Sequence, residues 1–356
     1  MPDTRVITLD PDRFDPEALA PAAEALRRGG LVGLPTETVY GIAVDLEAEE
    51  AVRRLLDLRQ SPAEKHITVH IGDRDALRKV VPGPIPASAQ RLIRKFWPGP
   101  LTVVFPTPDG RGVGVRYPGH RVACELIRRS GVRVGAPSAN LSGQPPAVEA
   151  GEVLRAFGGK LDFVVDAGPA RHRGASTVVR VGGVRAEVLR EGVIPRAMIE
   201  EADVASVLFV CTGNTCRSPM AAAIFRRLLA KARGVREEEL ESRGWKVLSA
   251  GTAAGYGAAA SEEAELAVKD FGADLSGHVS RPVSLAMVED ADRVFVMTRR
   301  HRQVLQEWLP DQRGKIELLD PEGAEVPDPM GASAAVYRSC ARQIHSALEK
   351  RVKEIP

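Results

Sequence analysis

Cysteine is scarce: Cys124, Cys211, Cys216 and Cys340 are too few and too scattered in 356 residues for a disulfide framework. No C-x2-C pair marks a zinc site, and no metal-ligating residue is expected. Long apolar runs are lacking too, and the opening residues MPDTRVITLD show no basic-then-apolar secretory pattern. A cytoplasmic protein with no membrane partner is therefore expected. Nor is there an excess of one charge. A formal net charge of +2 gives no whole-chain argument for a nucleic-acid binder, and a run such as RRHR at 299–302 reads as a solvated helix face. What is present is a globular composition, 44% hydrophobic and 27% charged, in a chain long enough for two domains with separate cores.

Two of the four cysteines fall in VLFVCTGNTCRSPM, residues 207–220. Four apolar, strand-like residues lead into Cys211, and Arg217 follows six positions later at the start of an alanine-rich helical pattern. A loop of this size can curl its backbone N–H groups around one tetrahedral oxyanion, with a helix N-terminus behind it and a guanidinium opposite. A thiol in such a ring readily becomes a thiolate. A buried cysteine ending a strand is more often packing than chemistry. Here the preceding strand, Gly213-Asn214 and Ser218-Pro219 favour chemistry.

From this motif onward strand and helix alternate: a helix over 221–233, a strand over 245–250, a helix from Ser261, a strand over 294–297, a helix over 300–308, a strand over 316–319 and a long closing helix over 333–355. That pattern implies a doubly wound parallel sheet with its ligand at the carboxyl ends of the strands. A cysteine phosphatase also needs a proton donor from another loop. Asp328, between two prolines in VPDPMGAS, is the candidate; Asp320 in LLDP is the rival, and either could be only a turn aspartate.

VLFVCTGNTCRSPMAAAIF, SAGT, GHVSRPV, VMTRRH and the late DP pair together resemble the low-molecular-weight protein phosphatase family over about residues 206–352. The resemblance implies that Cys211 attacks phosphorus and that Arg217 and the loop, Thr212, Gly213, Asn214, Thr215, Cys216 and Ser218, hold the phosphoryl oxygens. Asp328 would serve the leaving group, Ser218 the thiolate and Asn214 the loop's shape, with no cofactor. Thr215 and the Met330-Gly331 pair after DP are similar to the protein-arginine phosphatase subgroup. Phosphoarginine is thus the expected group on a phosphorylated protein substrate, and phosphotyrosine the alternative. An arsenate-reductase use is disfavoured because only Cys340 lies downstream of the loop. Cys216 could pair reversibly with Cys211 or merely pack beneath it.

The first half interleaves elements differently. A helix over 16–28 stops at Gly29-Gly30, a strand over 31–34 delivers PTETVYG (35–41), a helix covers 46–58, and 66–71 alternates like a strand. A helix over 88–97, strand-like GVGVRYP (112–118), a helix over 120–130 and further strands at 132–134, 174–181 and 188–192 follow. An α/β domain with a mixed, twisted sheet is expected, and polar loops recurring at its strand ends suggest one shared cleft. LPTETVYG, FWPGPLT, GVGVRYP, APSANLSG, STVVR and LREG, in this order, resemble the YrdC-like family of L-threonylcarbamoyl-AMP synthases over residues 15–195. The resemblance implies that L-threonine, bicarbonate and ATP with magnesium become threonylcarbamoyl-AMP and pyrophosphate, which other proteins use to modify the adenosine beside the tRNA anticodon. By it Thr36, His70 and Arg116 would hold threonine, and Arg59, Ser138, Asn140, Ser176 and Arg190 the nucleotide. Ser61 stands where a second guanidinium is expected, four residues before Lys65. A binding-only nucleotide or RNA module is therefore the alternative for this half.

The expected organisation is a bifunctional chain: a synthase-like domain over 1–195, a linker over 196–205 and a phosphatase domain over 206–356.

Overall fold

The computed structural model describes residues 3–62, 67–183 and 185–355, and its chain divides into two units, Met1–Asp203 and Val204–Pro356. Strand signals of the first unit resolve into β1 (Arg5–Thr8), β2 (Val32–Leu34), β3 (Gly41–Asp45), β4 (Val69–His70) and β5 (Leu101–Phe105). They continue as β6 (Val113–Arg116), β7 (Val134–Gly135), β8 (Phe163–Asp166), β9 (Thr177–Arg180) and β10 (Glu187–Arg190). Among the described residues these ten form one sheet in the order β1-β8-β2-β3-β7-β4-β6-β5-β9-β10. The expected mixed sheet is borne out: β1 and β2 run parallel to β8, while β2–β3, β5–β6 and β9–β10 are antiparallel.

Apolar faces on both sides of the sheet are covered. Helices Ala20–Arg27 and Arg121–Ser130 bury Leu26, Val122 and Leu126 against Val32 and Phe163, while Glu49–Leu58 and Ala150–Phe157 bury Leu55 and Phe157 with Val44 and Val164. Helix Ala150–Phe157 and β8 had no counterpart in the sequence reading. Yet β8 joins β1 to β2 at the centre of this half-sheet.

The stretch read as a linker, 196–205, is folded. Arg196–Ala202 is a helix, and Ile199, 1% exposed, lies in the same core cluster as Leu92 and Val179. Asp203 is buried: Arg91 donates to Asp203 Oδ1 from Nε at 3.0 Å and from Nη2 at 2.7 Å, and Ala186 N–H donates to the other oxygen. Breaking one side of such a buried pair costs about 3–5 kcal/mol. The compact first unit therefore runs on to Asp203, and β11 (Ala205–Cys211) starts two residues later.

In the second unit β11, β12 (Trp245–Gly251), β13 (Arg293–Val296) and β14 (Ile316–Leu318) form an all-parallel sheet in the order β12-β11-β13-β14, as expected from the alternation. All seven residues of β11 are buried, which suits a central parallel strand covered on both faces. Helix Arg217–Arg233 packs on one face with Ile224, Phe225 and Leu229 inward, and Ala334–Arg351 lies against it. Among the described residues no helix is long and apolar enough to cross a membrane.

Candidate active sites

Cys211 ends β11 in register with Gly251 of β12, and the chain loops through 212–216 before entering helix Arg217–Arg233. A Cβ at Gly251 would lie 2.4 Å from Thr212 O and 2.9 Å from Asn214 N, so the loop can pass this strand end only over glycine. Asn214 is buried with φ 55°, and every polar group it has is engaged. Its Nδ2 donates to Ser218 Oγ and Ser249 Oγ, both at 3.0 Å, its Oδ1 accepts from Arg281 N–H at 2.9 Å, and its carbonyl lies 2.7 Å from His278 Nε2. The Asn214 N–H points at Cys211 Sγ from 3.3 Å, with Ser218 Oγ 3.0 Å from the same sulfur.

Arg217 is 3% exposed. Nη1 donates to Val326 O at 3.4 Å, and Nη2 donates to Thr212 Oγ1 at 3.4 Å and to the Asp328 carboxylate. Among the described residues Nε is buried without a partner. Asp328 stands at the rim, its side chain 46% exposed. The rival Asp320 follows β14 in a turn where its Oδ1 accepts from Glu322 N–H at 2.8 Å, which is a turn role. Thr215 is half-buried; Cys216 Sγ lies 3.3 Å from Tyr337 Oη and 3.5 Å from Ser261 Oγ, and all four cysteines are free thiols.

In the first unit a cleft of about 220 Å3 opens where β3, β4, β5, β6 and the loop following β7 converge. Thr36, Arg59, His70, Arg116, Ser138, Ser176 and Arg190 all line it. Asn140 does not: its Oδ1 accepts from Ser138 Oγ at 2.6 Å and its Nδ2 donates to Leu141 O and Gln144 O, so it fixes the loop that presents Ser138. Arg116 Nη2 donates to Glu37 Oε1 at 2.7 Å, with both side chains 6% exposed. Burial opposes ionisation of Glu37, but the charge and hydrogen bond of Arg116 prevail and hold its carboxyl below the usual range.

Burial, aided by the Arg116 charge, pushes His70 down to about 4. A neutral ring whose Nδ1–H donates to Thr68 O, 3.1 Å away, presents Nε2 as an acceptor. Arg59 is buried and donates to Ser138 O from Nε at 2.9 Å, and Arg190 at the rim donates to Ser176 O from Nη2 at 2.6 Å. Among the described residues neither forms an ion pair with an acid. Ser61 Oγ accepts from Arg59 Nη1 at 3.3 Å, whereas Lys65 lies outside the described residues.

Two family models match the chain. The Sua5/YciO/YrdC model, described as telomere recombination, covers residues 24–192, and that of low molecular weight phosphotyrosine protein phosphatases covers 206–356. A putative threonylcarbamoyl-AMP synthase of Mycobacterium tuberculosis is 36% identical over 203 residues, 53% of this chain and 93% of the relative. The chain belongs to the Sua5/YciO/YrdC family through its first unit, and its second unit matches the phosphatase family model. The threonylcarbamoyl-AMP synthase of Bacillus subtilis is 37% identical over 196 residues, but those take up 52% of this chain and only 56% of the relative. For the Pyrococcus abyssi synthase, 36% identical over 199 residues, the shares are 53% and 58%. The fold of Pyrococcus abyssi Sua5, in a structure complexed with L-threonine, matches over 97% of this chain and 98% of that one, with a TM-score of 0.53 at 23% identity.

Some residues of both sites were passed over by sequence reasoning. Thr68 and Thr102 line the cleft, and Thr102 Oγ1 lies 2.9 Å from Ser176 Oγ. Around the loop, Ser249, His278 and Arg281 serve Asn214, and His301 contacts Thr212. SAGT, GHVSRPV and VMTRRH contain these four, but a motif does not say which member points where.

Neutral burial of His70 has a measurable consequence. Its folded value of about 4 lies below the ordinary 6.5, so the unfolded chain binds the extra proton between them and stability falls as pH drops through that window. The gap in unfolding free energy between wild type and His70→Gln is expected to narrow as pH falls from 6.5 to 4 in urea titrations. A gap independent of pH would contradict neutral burial.

Proposed function

We propose that the first unit makes threonylcarbamoyl-AMP from L-threonine, bicarbonate and ATP, and that the second is a cysteine-dependent protein phosphatase acting on phosphoarginine. The synthase reading is carried by one cleft that combines the Arg116–His70–Thr36 corner with Arg59 and Arg190, two guanidiniums without acidic partners. Arg116 would take the threonine carboxylate as a planar fork, and neutral His70 Nε2 would accept from its ammonium or hydroxyl group. Once the amine has bonded to the carbon of bicarbonate with loss of water, the new carboxylate attacks the α-phosphorus of ATP and pyrophosphate leaves. The side chains need form no covalent bond; alignment and charge stabilisation do the catalytic work. Magnesium would come with the triphosphate, since the described residues hold no group of three metal-ligating side chains. The adenylate would pass to the proteins that modify tRNA.

The phosphatase reading is carried by Arg217, which reaches the residue after Cys211 through Thr212 Oγ1 and whose buried Nε has no partner among the described residues. A phosphoryl group in the loop would meet this N–H and the loop N–H groups, displacing Asp328 from Nη2. The Cys211 thiolate then forms an S–P bond as the P–N or P–O bond of the substrate breaks. Asp328 gives its proton to the leaving group. Water attacks the phosphocysteine, Asp328 takes the proton back, and phosphate and the thiolate are released. Thr215 supports phosphoarginine, because a half-buried hydroxyl in the loop can accept from a guanidinium N–H and a branched aliphatic side chain cannot. Phosphotyrosine is the second reading, favoured by the substrate in the phosphatase family's own description.

Purified full-length protein is expected to release pyrophosphate only when threonine, bicarbonate and ATP are all supplied. ATP binding without pyrophosphate would instead make the first unit a binding module. For the second unit, wild type should turn over phosphoarginine faster than phosphotyrosine, and Thr215→Ile should reverse that order by about tenfold, a little over 1 kcal/mol of differential transition-state binding. A wild type that prefers phosphotyrosine overturns the choice of substrate.

A further inference from the structure

His301 sits in the first turn of helix Arg299–Trp308, 5% exposed, with each ring nitrogen against a threonine hydroxyl. Nδ1 lies 2.9 Å from Thr298 Oγ1 and Nε2 lies 2.9 Å from Thr212 Oγ1. Thr298 is the cap of that helix, accepting from His301 N–H at 3.4 Å, so one end of the imidazole is anchored to β13 through its neighbour in the chain. The other end reaches the residue after Cys211. Thr212 Oγ1 in turn accepts from Arg217 Nη2 at 3.4 Å.

The direction of these bonds follows from what each group can do. A guanidinium only donates, so the Thr212 oxygen is an acceptor toward Arg217 and its one proton is free to go elsewhere. An unprotonated Nε2 is the strong acceptor within reach. Nδ1 then carries the ring proton and donates to Thr298 Oγ1. Burial first, and the Arg217 charge second, push His301 down to about 4, in keeping with a neutral ring. A hydroxyl that donates to an imidazole becomes the better acceptor for the next donor in the chain.

We propose that His301 is a positioning residue for the phosphatase: through Thr212 it fixes the plane of the Arg217 guanidinium that meets the phosphoryl oxygens. Nη2 is otherwise shared with the half-exposed carboxylate of Asp328, which the reaction needs at the leaving group. Thr212 and the Val326 carbonyl are the contacts that remain to Arg217 when Asp328 leaves. This role rests on the phosphatase reading above and deepens it.

A double-mutant cycle on the full chain tests the route. With p-nitrophenyl phosphate as substrate, His301→Leu and Thr212→Val are each expected to lower kcat/KM by about tenfold, the worth of one well-placed hydrogen bond. Together they should lower it no further than about twofold beyond either alone, and His301→Gln, which keeps an acceptor and a donor, should recover most of the loss. Thr212 is exposed, so Thr212→Val keeps the test valid if His301→Leu folds poorly. Additive losses, or unchanged kinetics in Thr212→Val, overturn the proposal. The ring itself is read separately by nitrogen-15 NMR, where wild type should show the Nδ1–H tautomer of His301 and Thr212→Val should lose that preference. An Nε2–H tautomer in wild type also overturns it. If wild type shows the expected tautomer but turns over no phosphate ester, the phosphatase reading fails instead.

Discussion

Asn214 in the left-handed region is the constraint on which the phosphate loop depends. A residue with a Cβ pays roughly 1–2 kcal/mol to sit at φ 55°, and three side-chain hydrogen bonds of about 1 kcal/mol each, together with the His278 contact, offset that strain. Because Asn214 is held there, its N–H turns inward to Cys211 Sγ, and the chain can re-enter a helix at Arg217. Gly251 is the matching condition on the neighbouring strand, since any side chain there would collide with Thr212 and Asn214. Loop, thiol and guanidinium thus follow from one strained residue and the partners that keep it strained.

The first unit holds charged groups of its own. Its cleft gathers cations from two strand ends and from the end of helix Glu49–Leu58, and only one of them, Arg116, meets a carboxylate among the described residues. Glu37 leaves one oxygen, Oε2, buried without a partner, and Arg59 and Arg190 satisfy their N–H groups on backbone carbonyls and serine hydroxyls. Carbonyls satisfy donors but do not neutralise charge, so the cleft retains a net attraction for anions. A carboxylate and a triphosphate are the anions its family chemistry would bring.

Much of this was legible in the sequence because local chemistry announces itself. The C-x5-R spacing, the strand before Cys211 and the Ser218-Pro219 helix start led to the loop, and seven of the eight cleft residues named for the first unit line one cavity. Asn140 lies off the cleft lining, bonded to its own loop, and an asparagine beside a cleft-lining serine looks the same in sequence whether it faces the cleft or the loop. Residues 196–205 looked like a linker for want of periodicity; what folds them is the pairing of Asp203 with Arg91, 112 positions away, which no local pattern reveals. The same holds for β8, whose place between β1 and β2 is decided by long-range pairing.

The central claim is that two families' machinery lies in one chain as two separate sites, each complete in itself. The measurement that tests it most directly is a crossed assay of both activities in three full-length proteins: wild type, Cys211→Ser and Arg116→Ala. Cys211→Ser is expected to abolish phosphatase turnover while leaving threonine-dependent pyrophosphate release intact, and Arg116→Ala to do the reverse. Loss of both activities in either variant, or persistence of phosphatase turnover in Cys211→Ser, would contradict the account.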